Sequence, residues 1–178
     1  MKEIVIITGA SGNLAQSVAK KLEIDGFEVF FYSSNLNIIN NKNIFYWDIE
    51  NGYFDKFPLD NCSHIVHLSG YGVINKWTKE NKKKMYVSRV NAANLLFNYC
   101  KEKKINIKTF ISASAIGYYG FDSIGIKDES DLPANDWLAK LAVDWEKSAN
   151  DFTAINSRVI KLRISLIFTK LSGFLKPI

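Results

Sequence analysis

Thr8-Gly9-Ala10-Ser11-Gly12-Asn13-Leu14-Ala15 is the stretch on which the reading of this chain turns. Residues 4–7 before it, Ile-Val-Ile-Ile, form a short β-branched apolar run, and residues 13–24 after it carry apolar side chains at helical spacing. A glycine-rich turn between a strand and a helix has a definite physical use. Gly9 can take the tight turn, Gly12 lets backbone approach a pyrophosphate, and small Ala15 lets the helix pack close to the strand. The free N–H groups of the first helical turn then attract phosphate charge. The spacing is G-x-x-G-x-x-A, which alone also describes a plain tight turn; the strand before it and the helix after it give it weight.

Outward from that turn, short apolar runs at 29–32, 44–47, 64–68, 109–111 and 159–167 are bounded by polar or glycine signals and predict five further strands. Helical periodicity predicts helices over 78–103 and 136–151, the latter from Leu138, Leu141, Ala142, Trp145, Ala149 and Phe152. Strands and helices mostly alternate, as in right-handed βαβ units, so the expected fold class is α/β. It is a doubly wound parallel sheet of the Rossmann type with six strands, in one domain over 1–178.

Bulk properties agree with a packed domain: 178 residues, 47% apolar and 13% aromatic. A net charge of +5 suits an anionic small molecule as well as it suits nucleic acid. The lysine-rich segments 79–84 and 101–104 have acids interspersed and no nucleic-acid recognition motif accompanies them, so nucleic acid is not an expected partner. Cys62 and Cys100 are too few for a disulfide framework, and His64 and His67 lack a cysteine pair to complete a zinc site, so no metal is expected. Without a secretory h-region or an apolar span of about 18 residues, the chain is expected in the cytoplasm and not in a membrane.

The end of the second predicted strand normally decides which dinucleotide fits, a carboxylate there binding the ribose diol and a basic group the 2′-phosphate. Here it reads Tyr32-Ser33-Ser34-Asn35. With no carboxylate, the hydroxyls of Ser33 and Ser34 and the neighbouring amides are placed to take a phosphate, so NADP is expected before NAD; a plain polar turn is the bland alternative. Asp48, ending the third strand, is placed either for an adenine amino group or simply for solvent. His67-Leu68-Ser69-Gly70 closes the fourth strand, where backbone passes beside the phosphates and ribose of such a cofactor.

Taken with HLSG at 67–70, Trp77-Thr78 through Ser88-Arg89-Val90, SASAIGYYG at 112–120, DWLAKLAVDWE at 136–146 and RVIKLR at 158–163, the glycine turn makes the chain resemble a known group. It is similar to the atypical extended short-chain dehydrogenase/reductases of the NAD-dependent epimerase/dehydratase-like epimerase family. The resemblance implies cofactor contacts at Gly9, Ser11, Gly12, Asn13, Leu14, Ser33, Ser34, Leu68, Ser69 and Arg89, with Arg89 a cation offered to a cofactor phosphate. The alternative for Arg89 is a surface helix cation. The chain departs from the family at Ser34, where Arg is common, and at Ala15, Ser165 and Thr169, where Gly is common.

Ordinary dehydrogenases of this superfamily use a Tyr-x-x-x-Lys pair after the fifth strand, the lysine lowering the tyrosine pKa for proton exchange as hydride moves. That pair is missing; Tyr99 and Lys103 have the spacing but precede Ser114 on the wrong helix. The resembling branch typically lacks the pair too. Ser114 stands where a serine would hydrogen-bond a substrate carbonyl or hydroxyl, and Tyr118 or Tyr119 is the candidate proton donor, with a packed Gly117-Tyr118-Tyr119-Gly120 loop as the alternative. Proteins of this kind continue into a substrate-binding lobe, of which 166–178 resembles only a truncated start. An apolar face partly covered by Phe168, Leu171, Phe174 and Leu175 is therefore expected, and with it a homodimer through that face. Two functions follow from the resemblance: hydride exchange with a sugar nucleotide or similar carbonyl compound, or a non-catalytic NADP-binding module or remnant of a longer enzyme.

Overall fold

A computed structural model describes residues 2–39, 41–122 and 124–167. The opening run forms β1 (Ile4–Thr8), and the chain continues through α1 (Asn13–Ile24), β2 (Glu28–Ser33), β3 (Ile44–Asp48), β4 (Tyr53–Phe54), α2 (Lys56–Asn61) and β5 (His64–His67). Then come α3 (Lys79–Tyr86), α4 (Ala92–Lys103), β6 (Thr109–Ala115), α5 (Trp137–Asn150) and β7 (Arg158–Ile164). The sheet order is β4-β3-β2-β1-β5-β6-β7. All neighbours pair parallel except β4, which adds antiparallel to β3 at the edge. The chain is thus a doubly wound, mostly parallel sheet of the Rossmann type.

Both faces of the central strands are buried, which is why they read as unbroken apolar runs. Ile6, Phe30, Tyr32, Ile65 and Phe110 share a core with Leu59 of α2, Leu96 of α4 and Ala149 of α5. The alternate residues Val5, Ile7, Val29, Phe31 and Val66 pack with Ala15 and Ala19 of α1. Small residues on α1 let that helix lie close to the sheet.

Four sequence expectations are corrected. Among the described residues there are seven strands, not six, because the two-residue β4 is too short to leave a period-2 signature. The short helix α2, six residues containing Pro58, offers too few turns for a periodic pattern. The helix expected over 78–103 is interrupted by a π-helical turn, Val87–Asn91, between α3 and α4. Periodicity does not register the single-residue insertion of such a turn, yet it buries Arg89 and Val90. β7 stops at Ile164, and as an edge strand it leaves Leu162 45% exposed. Leu166 and Ile167 beyond it are also exposed, whereas Phe168, Leu171, Phe174 and Leu175 lie outside the described residues. Among the described residues no helix is long and apolar enough to cross a membrane.

Candidate functional site

β1 lies between β2 and β5, where the strand order reverses, and the crevice beyond the C-terminal ends of β1 and β5 is the place where this topology admits a ligand. Thr8 and His67, the last residues of those strands, are register partners. Gly9 follows at φ +85°, a left-handed conformation that L side chains rarely adopt, and its N–H donates to the Tyr32 carbonyl at 3.0 Å. A Cβ there would sit 3.1 Å from Cα of Ser69, so the turn is pressed against the backbone leaving β5. Gly12 donates to the Gly9 carbonyl at 2.9 Å and serves as N-cap of α1 without a side chain, leaving the first-turn N–H groups of Asn13 and Leu14 without a side-chain cap. Gln16 closes the loop by donating to the Ala10 carbonyl at 2.6 Å.

Beneath the turn is a buried latch. Thr8 Oγ1 accepts from the N–H groups of Leu68 and Ser69, each at 3.0 Å, and lies 2.9 Å from His67 Nδ1. His67 Nε2 lies 2.9 Å from the Arg89 carbonyl, which can only accept, so Nε2 carries the proton and Thr8 donates to Nδ1. Burial pushes the His67 pKa down to about 4, keeping the ring neutral. One imidazole thereby ties the glycine turn, the end of β5 and the π-helical turn together.

Two adjoining cavities occupy the crevice. The first, about 340 Å³, is lined by Gly9, Ser11, Gly12, Ser33, Ser34, Leu68 and Ser69, seven of the residues expected from sequence. Cβ atoms added on Gly9 or Gly12 would crowd the backbone of Ser69 and the Gly9 carbonyl, so the turn closes this tightly only with glycine at both positions. Asn13 and Leu14 line neither cavity; they stand at the start of α1 behind it. Ser33 Oγ already accepts from Asn35 N–H at 3.1 Å, whereas Ser34 is exposed. The second cavity, about 320 Å³, shares Ser34, Trp47, Ile49, Tyr71 and Ser88 with the first and adds Asp48 and Lys84. Asp48 accepts from the Asn51 side chain at 2.7 Å and its N–H at 3.2 Å, which hold its pKa below the ordinary value.

Arg89 is only 8% exposed, so it is not a surface cation, and it lines neither of these cavities. Its Nη1 donates to the carbonyls of Tyr71 (3.0 Å) and Met85 (3.2 Å), and the guanidinium lies 5.1 Å over the Trp145 ring. Burial lowers its pKa to about 10, which leaves it charged at neutral pH. Arg89 opens instead on a third cavity of about 210 Å³, with Ser114, Leu141, Trp145 and Ile164.

Ser114 is buried, and its Oγ donates to Glu146 Oε1 at 2.7 Å. Arg163 grips the same carboxylate, Nε to Oε1 at 2.8 Å and Nη2 to Oε2 at 3.1 Å. Burial pushes Glu146 up, but the hydrogen bonds from Arg163 and Ser114 outweigh it and hold the carboxyl below its ordinary pKa. Arg163 also donates to Tyr119 Oη at 2.7 Å and stacks 3.5 Å over the Tyr118 ring. Both tyrosines are thus engaged by Arg163, and neither lines the Ser114 cavity. Tyr99 donates to Asp60 at 2.8 Å and Lys103 pairs with Glu102, a surface arrangement away from the crevice. Among the described residues no group of three His, Cys, Asp or Glu side chains comes together to hold a metal ion.

Sequence reasoning missed Glu146, Arg163, Trp145 and the role of Thr8. Glu146 and Arg163 stand in two of the family-like stretches, but the charges are 17 positions apart and only the packing of α5 beside β7 brings them together.

Residues 5–169 match the family model described as the NAD dependent epimerase/dehydratase family. An epimerase family protein of Mycobacterium leprae is 29% identical over 179 residues, covering 98% of this chain and 56% of its own length. One from Bacillus subtilis is 27% identical, covering 92% of this chain and 54% of its own length. The chain therefore spans about half the length of the curated relatives it matches. A nucleoside-diphosphate sugar epimerase from Corynebacterium glutamicum superposes with a TM-score of 0.81 at 26% identity, covering 98% of this chain and 36% of that one. A human epimerase family protein determined with NADPH gives 0.77 at 19% identity, covering 97% of this chain and 57% of that one; at that identity the likeness is one of fold.

Proposed function

The chain belongs to the NAD dependent epimerase/dehydratase family, and from that premise we propose that its crevice holds NADP, with NAD the weaker ligand, and that the Ser114 cavity receives the reacting end of a sugar nucleotide or similar carbonyl compound. The observation that carries this reading is the glycine turn at the switch point, closed on backbone at Gly9 and Gly12 with the start of α1 left without a side-chain cap, where a pyrophosphate would sit. Ser11, Leu68 and Ser69 would border it, and the exposed Ser34 would face the 2′-phosphate. Asp48 and Trp47 would flank the adenine in the adjoining cavity. When bound, the nicotinamide supplies a hydride-exchanging carbon; Ser114 orients the exchanging group of the substrate.

A second reading is favoured by one observation. Tyr119 gives its hydroxyl proton to the Asp128 carbonyl at 2.6 Å, the Tyr118 ring lies beneath Arg163, and neither tyrosine lines the Ser114 cavity, so the chain by itself is a nucleotide-binding module with little turnover.

Thermal unfolding with NADPH, with NADH and with neither tests the site. Ligand at 100 times its dissociation constant adds about 2.7 kcal/mol, or a rise in Tm of roughly 5–10 °C for a chain of this size. Gly12→Asp abolishes the NADPH shift by charge repulsion. Gly12→Ala, which adds the same Cβ 3.2 Å from the Gly9 carbonyl without the charge, retains part of it. No shift with either nucleotide sinks the cofactor reading; a shift without turnover on nucleotide sugars favours the module.

A further inference from the structure

The 210 Å³ cavity beside Ser114 combines two polar groups whose hydrogen-bonding state the structure defines. The first is Ser114. A serine hydroxyl has one proton, and Ser114 gives it to Glu146, a carboxylate that the Arg163 guanidinium keeps ionised and that can therefore only accept. Toward the cavity Ser114 is left with lone pairs alone. It accepts a hydrogen bond and cannot offer one, the reverse of a serine that donates to a carbonyl.

The second is Arg89. Arg89 as a whole residue is 8% exposed, and among the described residues no carboxylate pairs with it. Its hydrogen bonds to the described residues are made by Nη1 to Tyr71, Met85 and Ser88, and none of these comes from Nη2 or Nε. A buried cation without a counter-charge is costly, and its planar fork suits a carboxylate. On the same wall the Trp145 ring carries a buried indole N–H with no partner. Leu138, Leu141 and Ile164 make the rest of the wall mostly apolar, with Ser165, just past the end of β7, the other hydroxyl in the lining.

We infer that this cavity is a subsite for a small hydroxycarboxylate, Arg89 taking the carboxylate and Ser114 accepting from the hydroxyl. Glu146 is the positioning residue that sets the preference for an alcohol over a carbonyl. The inference rests on the proposed reading only in taking this cavity as the reacting end of the crevice. The acid titrations use no nucleotide, so the two readings fail separately.

The probes are lactate, pyruvate and propionate, titrated into the full ¹⁵N-labelled chain while the indole N–H resonance of Trp145, assigned with Trp145→Phe, is followed. All three present a carboxylate; only lactate adds a donor facing Ser114. Lactate is expected to bind about tenfold more tightly than pyruvate, the factor that one hydrogen bond makes. Ser114→Ala removes the difference, and Glu146→Gln narrows it because the amide can donate to Ser114 and release its proton toward the ligand. Arg89→Met loses all three acids and keeps the NADPH thermal shift. Equal or tighter binding of pyruvate, or no acid shifting the resonance, overturns the inference. So does an Arg89→Met chain that retains lactate, or one that loses NADPH instead, which assigns the cation to a cofactor phosphate. If Arg89→Met does not fold, Ser114→Ala decides alone: an undiminished preference for lactate overturns the assignment.

Discussion

Acidification is expected to loosen this fold through His67 before it does so through any carboxylate. The ring is fully buried between Thr8 and the Arg89 carbonyl, and burial moves its pKa from 6.5 to about 4. Between those values the unfolded chain binds a proton that the folded chain refuses, so stability falls as pH falls. The contribution is intact above about pH 6.5 and fades as pH approaches 4. From pH 7 to pH 5 the loss amounts to about 2 kcal/mol, or a fall in Tm of roughly 4–8 °C. Carboxylates held below their ordinary pKa, Glu146 and Asp48 among them, add their losses mainly below pH 4.5. Urea unfolding followed by far-UV circular dichroism at pH 7, 6 and 5 measures the slope. His67→Gln provides the control, since its amide can donate to the Arg89 carbonyl and accept from Thr8 without titrating. A wild-type chain equally stable at pH 7 and pH 5, or a His67→Gln chain with the same loss, would refute the argument.

Three further outcomes are expected. Gly9→Ala places a Cβ at φ +85° and 3.1 Å from Cα of Ser69, and costs about 1–3 kcal/mol by chemical denaturation along with the NADPH shift. Phe152→Ala removes a fully buried ring stacked 3.8 Å from Phe110 and costs about 3–5 kcal/mol with cofactor affinity unchanged, since neither ring lines the crevice. Arg163→Leu strips Glu146 of its partner, costs about 3 kcal/mol, and raises the Glu146 pKa, read from its side-chain carboxyl ¹³C shift as a function of pH.

The glycine turn was legible because its chemistry is local. Gly9 through Ala15 lie between a β-branched run and a helical period, and those two periods fix which side of the turn is strand and which is helix. The alternation that follows implied a parallel sheet, and the cluster of Gly9, Ser11, Gly12, Ser33, Ser34, Leu68 and Ser69 around one cavity follows from the ends of β1, β2 and β5 lying side by side. Two-residue β4 and the π-helical turn were not legible, since neither changes a hydrophobic period over enough residues to be seen.

Charge placement divides the same way. Resemblance to the family could name Arg89, Ser114, Tyr118 and Tyr119 as candidate site residues. It could not say what each faces. The π-helical turn carries Arg89 inward toward Trp145, and the approach of α5 to β7 joins Glu146 to Arg163 and so spends the proton of Ser114, while Tyr119 gives its own to the Asp128 carbonyl. Sequence by itself determined the strand–turn–helix unit, the α/β class and the absence of a Tyr-x-x-x-Lys pair, since each depends on residues a few positions apart. Only the tertiary structure decided which buried groups meet, because hydrogen bonding between side chains tens of residues apart depends on packing distances that no local period encodes.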